Sequence, residues 1–495
     1  MILIKGARIV DGGGSPAYKG DILIKNDRIS AIGTLTNTKA DIVLEGLGLT
    51  VTPGFIDMNT DSDHYATLFT NPLQEDFLLQ GVTTIIGGQC GSSLAPLLYG
   101  SLKSIRKWAD TNAINVNWST IAELKQSLAR LKFGVNFATL VGHSTVRRDL
   151  IGEEIRDLTQ PELDIFSATL ERALREGARG LSTGLGYTHA HHVPFSEIKL
   201  LLGTVLKHNA VYTTHLRDET VDLVNAVDES ILAAREAGVR TIISHFRPII
   251  GFEDKFLTAV EHIEQALDVG NIYFDANPFN ESIMPIYMFL PEWARKDNLE
   301  TMYDIAHDPM HREKILKDLK SSGIHYDELR IIDARGNPSV VGKTLEAFAH
   351  NRGIGILEAL LTLMDITRMK ALLLYSNVNK ELLHTILLHP RALIASNGAS
   401  LPASVNGKPR RSTHTFSEFL KIAQSKKIPF EEAIQRITSV PAKIFALEKR
   451  GVLKEGWFAD MVIFKDGKPL HVIVNGSVVV QNSIVSTRVG SGVPL

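Results

Sequence analysis

Cysteine is nearly absent from the 495 residues: Cys90 stands alone, and one thiol excludes an internal disulfide. A surplus of charge of either sign is missing as well. The 53 basic and 55 acidic residues leave a formal charge of -2, which offers no field for nucleic acid or an anionic membrane. No apolar run reaches the roughly 18 residues of a membrane span, and no low-complexity segment occurs. The opening MILIKGARIV alternates like a strand and lacks the charged region, apolar stretch and cleavage site of a secretory leader. A soluble cytoplasmic protein acting on a small neutral or anionic molecule is expected, without nucleic-acid or membrane partners. Against these absences stands a hydrophobic content of 44% in a chain long for one simple domain, which predicts one large domain and a smaller one.

One unit repeats along the chain: a short β-branched run, a polar or glycine-rich turn, then an amphipathic helix. Eight runs end in this way, near Asp57, Cys90, His143, Tyr187, His215, His245, Asp275 and Asn397. The helical stretches between them carry their own punctuation. PELDIFSATLERALREG follows Thr159 with Glu162 three residues on, a capping box, while DLVNAVDESILAAREAG and KFLTAVEHIEQALDVG each close on a glycine. Eight such units predict a (β/α)8 barrel of the TIM type, whose chemistry sits at the C-terminal ends of its strands.

Cys90, His215 and His245 all fall at such ends. A thiolate with two imidazoles is a set that zinc favours, and three protein ligands leave a fourth position open, as catalytic zinc sites do. One zinc ion and a hydrolytic reaction follow as the expectation.

Both ends of the chain depart from the repeat. Residues 1–50 and 450–495 read as short strands broken by turns and are expected to form one small β-sandwich domain beside a barrel spanning 51–449. The interval from Asp275 to Asn397 is too long for one βα connection. Residues 283–345 are therefore expected as an insertion over the barrel mouth, a lid.

With the stretches VTPGFIDMNTD, QGVTTIIGGQCG, LVGHSTVR, GARGLSTGLGY, YTTHLRDE, IISHFRP, LPEW and AIQRITSVPAKIFAL in this order, the chain resembles the amidohydrolase superfamily. Within it the resemblance is to the N-acyl-D-amino-acid deacylases, or D-aminoacylases, over essentially the whole length. The resemblance implies zinc held by Cys90, His215 and His245, and hydrolysis of the amide of an N-acyl-D-amino acid. Two departures accompany it. Where that family ends its first barrel strand in His-x-His, this chain has Asn59, Thr60 and Asp61, so a second metal position is altered. Where the family's eighth-strand Ser-Asp-Gly supplies a general base, this chain has Ser396, Asn397 and Gly398. An amide cannot take that proton, and loss of a general acid–base group costs on the order of 10²–10⁴ in rate. Asp61 is the most economical replacement, with Asp63, His64 and His143 behind it.

For the carboxylate of an N-acyl amino acid, Arg247 stands where the family uses a lysine, and Arg217 is the next choice. The family's Tyr-Pro-Tyr appears as Asn277, Pro278 and Phe279, which removes a phenolic contact. His189 and His191, with His192 beside them, restore a His-x-His spacing on a loop, though a solvated loop is the favoured account because that spacing does not ensure convergence. Asp275 reads either as an acceptor behind a ligand or as a turn residue. Two other functions fit the same residues: a non-catalytic relative serving in binding or assembly, and a cyclic-amide hydrolase. The latter class bridges two metals with a strand-four lysine, which STGLGY lacks.

Overall fold

The computed structural model describes every residue except 107, 110, 112, 113, 188, 267–270, 297, 335, 404, 406 and 487–489. Eight strands form its centre: β1 (Phe55–Asp57), β2 (Val82–Gly87), β3 (Asn136–Thr139, resuming at Val141–Gly142), β4 (Gly180–Gly184), β5 (Val211–His215), β6 (Arg240–Ile243), β7 (Ile272–Ala276) and β8 (Ala392–Ile394). All pairings are parallel and follow chain order, and a parallel bridge between Thr60 and Gly398 joins β8 back to β1. The ring is thus the expected barrel. Its strands are buried on both faces, which is why VTTIIG in β2 reads as a nearly unbroken apolar and β-branched run.

Helices cover the ring, and their ends obey the local code. Thr159 and Glu162 form the capping box at the start of helix Gln160–Arg175, and Gly238, at φ 67°, closes helix Leu223–Ala237. The closing Gly270 expected for the next helix lies outside the described residues. Gly88 is demanded by close packing, since a Cβ there would lie 2.3 Å from the Leu140 carbonyl oxygen.

A nine-stranded sheet gathers both chain ends. Met461–Lys465 pairs antiparallel with Thr50–Pro53, which ties the C-terminal strands to the N-terminal ones around a separate apolar core that includes Ile4, Ile22, Val51, Met461 and Ile473. Between β7 and β8 a third unit builds its own core, from Ile286 to Leu373, on a three-stranded sheet of Ser282–Pro285, Arg330–Asp333 and Leu372–Tyr375. It continues past the expected limit at residue 345. Helices Leu345–Arg352 and Ile356–Thr367 belong to it, because Leu345, Phe348, Leu360 and Met364 pack inside that core. No helix among the described residues is long and apolar enough to cross a membrane.

The seam between β1 and β8 is held by a buried carboxylate. Asp57 Oδ1 accepts the Ser396 N–H at 3.0 Å and the Asn59 N–H at 3.4 Å, while Oδ2 is buried without a hydrogen bond. Burial pushes the Asp57 pKa up to about 7, against the lowering effect of those bonds. The folded protein therefore binds a proton that the unfolded chain releases near pH 4. The stability gained from that proton is complete below the unfolded value and is lost as pH rises through about 7. Relative to the natural chain, Asp57→Asn should gain thermal stability between about pH 4.5 and pH 8, equivalent to about 2–4 kcal/mol. A melting series across that range checks this; a difference that does not change with pH contradicts it.

Candidate metal centre

Three strand ends bring a sulfur and two imidazoles together. Cys90 follows β2, His215 is the last residue of β5, and His245 lies two residues beyond β6. One donor atom from each lies within 4.8 Å of the others, and Cys90 Sγ stands 3.6 Å from His245 Nε2. Zinc–ligand bonds at tetrahedral angles put donors about 3.3–3.8 Å apart, so the set fits such an ion after a small inward adjustment. Cys90 and His245 adopt left-handed backbone, at φ 50° and φ 40°, and Asn397 does the same at φ 45°. Non-glycine residues hold such conformations at a cost of about 1–3 kcal/mol each and cluster where function fixes a side chain.

A second layer of side chains orients His245. Its Nδ1 lies 2.8 Å from Glu219 Oε1, whose other oxygen accepts from Arg247 Nη2 at 3.0 Å. The Nδ1 contact fixes the ring so that Nε2 points toward Cys90. Burial opposes charge on both partners. For Glu219 the Arg247 and His245 charges outweigh burial and hold the carboxyl well below its usual range; for His245 the Glu219 carboxylate prevails and lifts the pKa to about 10. The pocket thus stabilises positive charge, which suits a cation. Asp275 fixes the same turn from behind, accepting the His245 N–H at 2.9 Å and the Asn59 side-chain amide at 3.1 Å.

The first and eighth strand ends make a network of their own. The Asn397 N–H donates to the Asn59 carbonyl at 2.9 Å. Asp61 lies 3.1 Å from His64 Nδ1 and 3.6 Å from Arg411 Nη2. Burial raises its pKa, yet the His64 hydrogen bond and the His64, Arg411 and His245 charges bring it below the ordinary carboxylate value. His64 stacks on Trp108 at 4.5 Å between ring centroids and reaches the Ser92 carbonyl at 3.0 Å. Asp63 Oδ2 accepts the Gly88 N–H at 2.6 Å. Arg411 is buried beside Asp61 at the start of the helix Arg410–Ser425, a position that no strand-end spacing marks.

Other expected residues sit elsewhere or are already engaged. His143 does not join the centre: its Nε2 lies 2.7 Å from Glu197 Oε1, which Arg147 also contacts, and its ring packs 5.3 Å from Phe166 in the helix layer. Arg217 borders the cavity above the centre, but its guanidinium is spent on Glu229 at 2.7 and 3.0 Å and on the His191 and Val193 carbonyls. Glu229 lies 12 residues away, on the next helix. Asn277 Oδ1 accepts the Phe279 N–H in a local turn, and Phe279 lies under Arg410. His189, His191 and His192 line the cavity without joining the donor group. That cavity, of about 820 Å³, is roofed by Met284, Tyr287 and Arg295 of the inserted unit.

No family model matches the chain. Among curated proteins it is similar to two from Alcaligenes xylosoxydans xylosoxydans. It is 28% identical to an N-acyl-D-aspartate deacylase, covering 93% of this chain and 85% of that one, and 29% identical to a D-aminoacylase, covering 94% and 87%. In three dimensions it matches a crystal structure of D-aminoacylase, reported to define a novel subset of amidohydrolases, with a TM-score of 0.80, 25% identity and 99% of each chain covered. Over nearly its whole length the chain is similar to D-aminoacylases, and it shares their fold. An N-acyl-D-glutamate deacylase from Bordetella bronchiseptica, complexed with zinc and a phosphonate inhibitor, shares the fold at a TM-score of 0.81 and 24% identity over 97% of this chain and 96% of that one. The chain thus joins a barrel to a β-sandwich, the fold it shares with these proteins.

Two substitutions test how the site is built. Glu219→Gln should weaken zinc binding by about 10–100-fold by loosening the His245 ring. Gly186→Ala should weaken it as well, because the added Cβ would lie 2.8 Å from His215 Nε2. Competition against a chelator of known affinity reads both, and unchanged affinity in either variant contradicts the assigned contacts.

Proposed function

We propose that this amidohydrolase is a mononuclear zinc enzyme that hydrolyses the amide of N-acyl-D-amino acids or related small N-acyl compounds. The observation carrying this reading is the gathering of Cys90, His215 and His245 donors within 4.8 Å at three strand ends, in a chain similar to D-aminoacylases. A bound ion supplies Lewis-acid polarisation of a carbonyl and lowers the pKa of water to about 7. The rest falls to side chains. Glu219 keeps His245 in one tautomer, and Arg247, beside it, presents its guanidinium to the cavity for the substrate carboxylate. Arg247 Nε is buried without a hydrogen bond, a donor a bound carboxylate would satisfy.

One ion is favoured over two. Asn59 donates its amide to Asp275 and so occupies that carboxylate with a hydrogen bond. A D-aminoacylase covered over 99% of its length has a binuclear centre in which one metal activates and the second attenuates.

The proton acceptor is the weak part of the machinery. Asn397 offers no basic group, and Asp61, the candidate replacement, is stabilised as an anion by His64 and Arg411, which lowers its basicity. Turnover is accordingly slow. The amide at Asn397 also favours a second reading, in which the chain binds an N-acyl compound without turning it over.

Asn397→Asp separates the two readings. The natural chain, loaded with one zinc, should hydrolyse an N-acetyl-D-amino acid slowly, and Asn397→Asp should raise kcat by about 10²–10⁴. Asp61→Asn should abolish the slow rate of the natural chain and leave most of the rate of Asn397→Asp. Activity in the variant with none in the natural chain would establish the binding role; no activity in either would sink the hydrolase reading.

A further inference from the structure

The inserted unit presents methionine to the cavity that His215 of the donor set also lines. Three of the chain's nine methionines, Met284, Met288 and Met302, border this one space, together with Tyr287 and Leu299 of the same unit and Ile249 from the barrel. The short 3-10 turn Ile286–Phe289 shows how the face is made. Residues three apart in such a turn share a side, so Ile286 and Phe289 enter the unit's own core. Met288 points elsewhere: it is half-buried, lines the cavity and packs in none of the apolar cores among the described residues. Of the basic side chains bordering the same space, Arg217 is paired with Glu229 and Arg148 with Glu153.

A methionine side chain is unbranched and adapts its shape, so a cluster of them receives a flexible apolar group better than a rigid one. The cavity has room for such a group. At the roughly 30 Å³ that a water takes as its share of liquid, the 820 Å³ present exceeds twice the space needed by the roughly 12 heavy atoms of N-acetyl-D-leucine. In the hydrolase reading above, the amino-acid half of the substrate is held at both ends. Its α-carboxylate meets Arg247 and its amide meets the donor set, and Glu219 ties these two together by contacting Arg247 at 3.0 Å and His245 at 2.8 Å. The acyl half carries no such constraint beyond its carbonyl, so the remaining volume falls to it.

We propose that the acyl group is an unbranched alkyl chain, so that the substrate class is a fatty-acyl amino acid of about six to ten acyl carbons, seated against the methionines of the inserted unit. The inference rests on the hydrolase reading and names its acyl group. In the reaction the carbonyl carbon gains hydroxyl from water, the C–N bond breaks and the nitrogen takes the remaining proton, which releases a fatty acid and a free amino acid. Each methylene buried against this wall tightens binding by up to about fourfold.

Calorimetric titration of N-acetyl-, N-hexanoyl- and N-decanoyl-D-alanine into the zinc-loaded full-length chain tests this, with released D-alanine assayed in the same samples. N-acetyl-D-tryptophan, whose roughly 18 heavy atoms nearly match the roughly 17 of the decanoyl compound, carries its bulk on the amino-acid side instead. The decanoyl compound should bind at least about 100-fold more tightly than N-acetyl-D-alanine and at least about tenfold more tightly than the tryptophan compound. Met288→Ser and Met284→Ser should each cut the decanoyl advantage by at least about fivefold, whereas Leu200→Ser, which removes an exposed apolar side chain outside the cavity, should leave it unchanged. Equal affinities along the series, tighter binding of the tryptophan compound, or an advantage kept in both methionine variants overturns the proposal. If the chain-length order holds and no D-alanine is released, the hydrolase reading fails and the apolar subsite stands. If D-alanine is released and chain length changes neither binding nor release, the hydrolase reading stands and the subsite fails.

Discussion

A thiol from one side of the barrel and an imidazole from the other meet at 3.6 Å, and the rest of the site is arranged to keep them there. Neither reaches that position on relaxed backbone: Cys90 and His245 both sit at positive φ. Such conformations persist only where the surroundings over-determine them. For His245 those surroundings are Asp275 on its N–H and Glu219 on its ring. For Cys90 they are Gly91, packed against β4 where a Cβ would lie 2.8 Å from the Gly184 nitrogen, and the close approach of β2 to β3 at Gly88. A closed ring of parallel strands is what makes this convergence available to residues 155 positions apart in the chain.

The same constraint runs through the seam between β1 and β8, where Asn59 and Asn397 both act as supports. Asn59 bonds to Asp275, and the backbones of Asn59 and Asn397 bond to each other across the β1–β8 seam. That seam also holds the buried Asp57, so the two asparagines stand on one hydrogen-bonded ledge, apart from the strand ends of β2, β5 and β6 that carry Cys90, His215 and His245.

Much of this was legible beforehand, and the reason is periodicity. Each of the eight strand ends carries a polar residue where an apolar run stops, so strand order and the donors Cys90, His215 and His245 followed from spacing alone. Thr159 and Glu162 announced a helix start for the same reason: the capping code is local. Partner choice was not legible. Glu219 and Glu229 are both acidic residues within reach of Arg217 in sequence, and only the turn after β5 decides that the first serves His245 and Arg247 while the second serves Arg217. His143 stands at a strand end like the donors, yet it begins a helix, and that direction sends its ring outward to Glu197. The far limit of the inserted unit was hidden because ILEALLTLMDIT has the pattern of any barrel helix, and which core a helix joins is a tertiary decision.

X-ray absorption at the zinc edge, on protein loaded with one equivalent of zinc, addresses the meeting of Cys90, His215 and His245 most directly. The account predicts one sulfur at about 2.3 Å with nitrogen and oxygen neighbours at about 2.0–2.1 Å, and loss of the sulfur shell in Cys90→Ala. A zinc environment without sulfur in the natural protein, or one unchanged by Cys90→Ala, would contradict it.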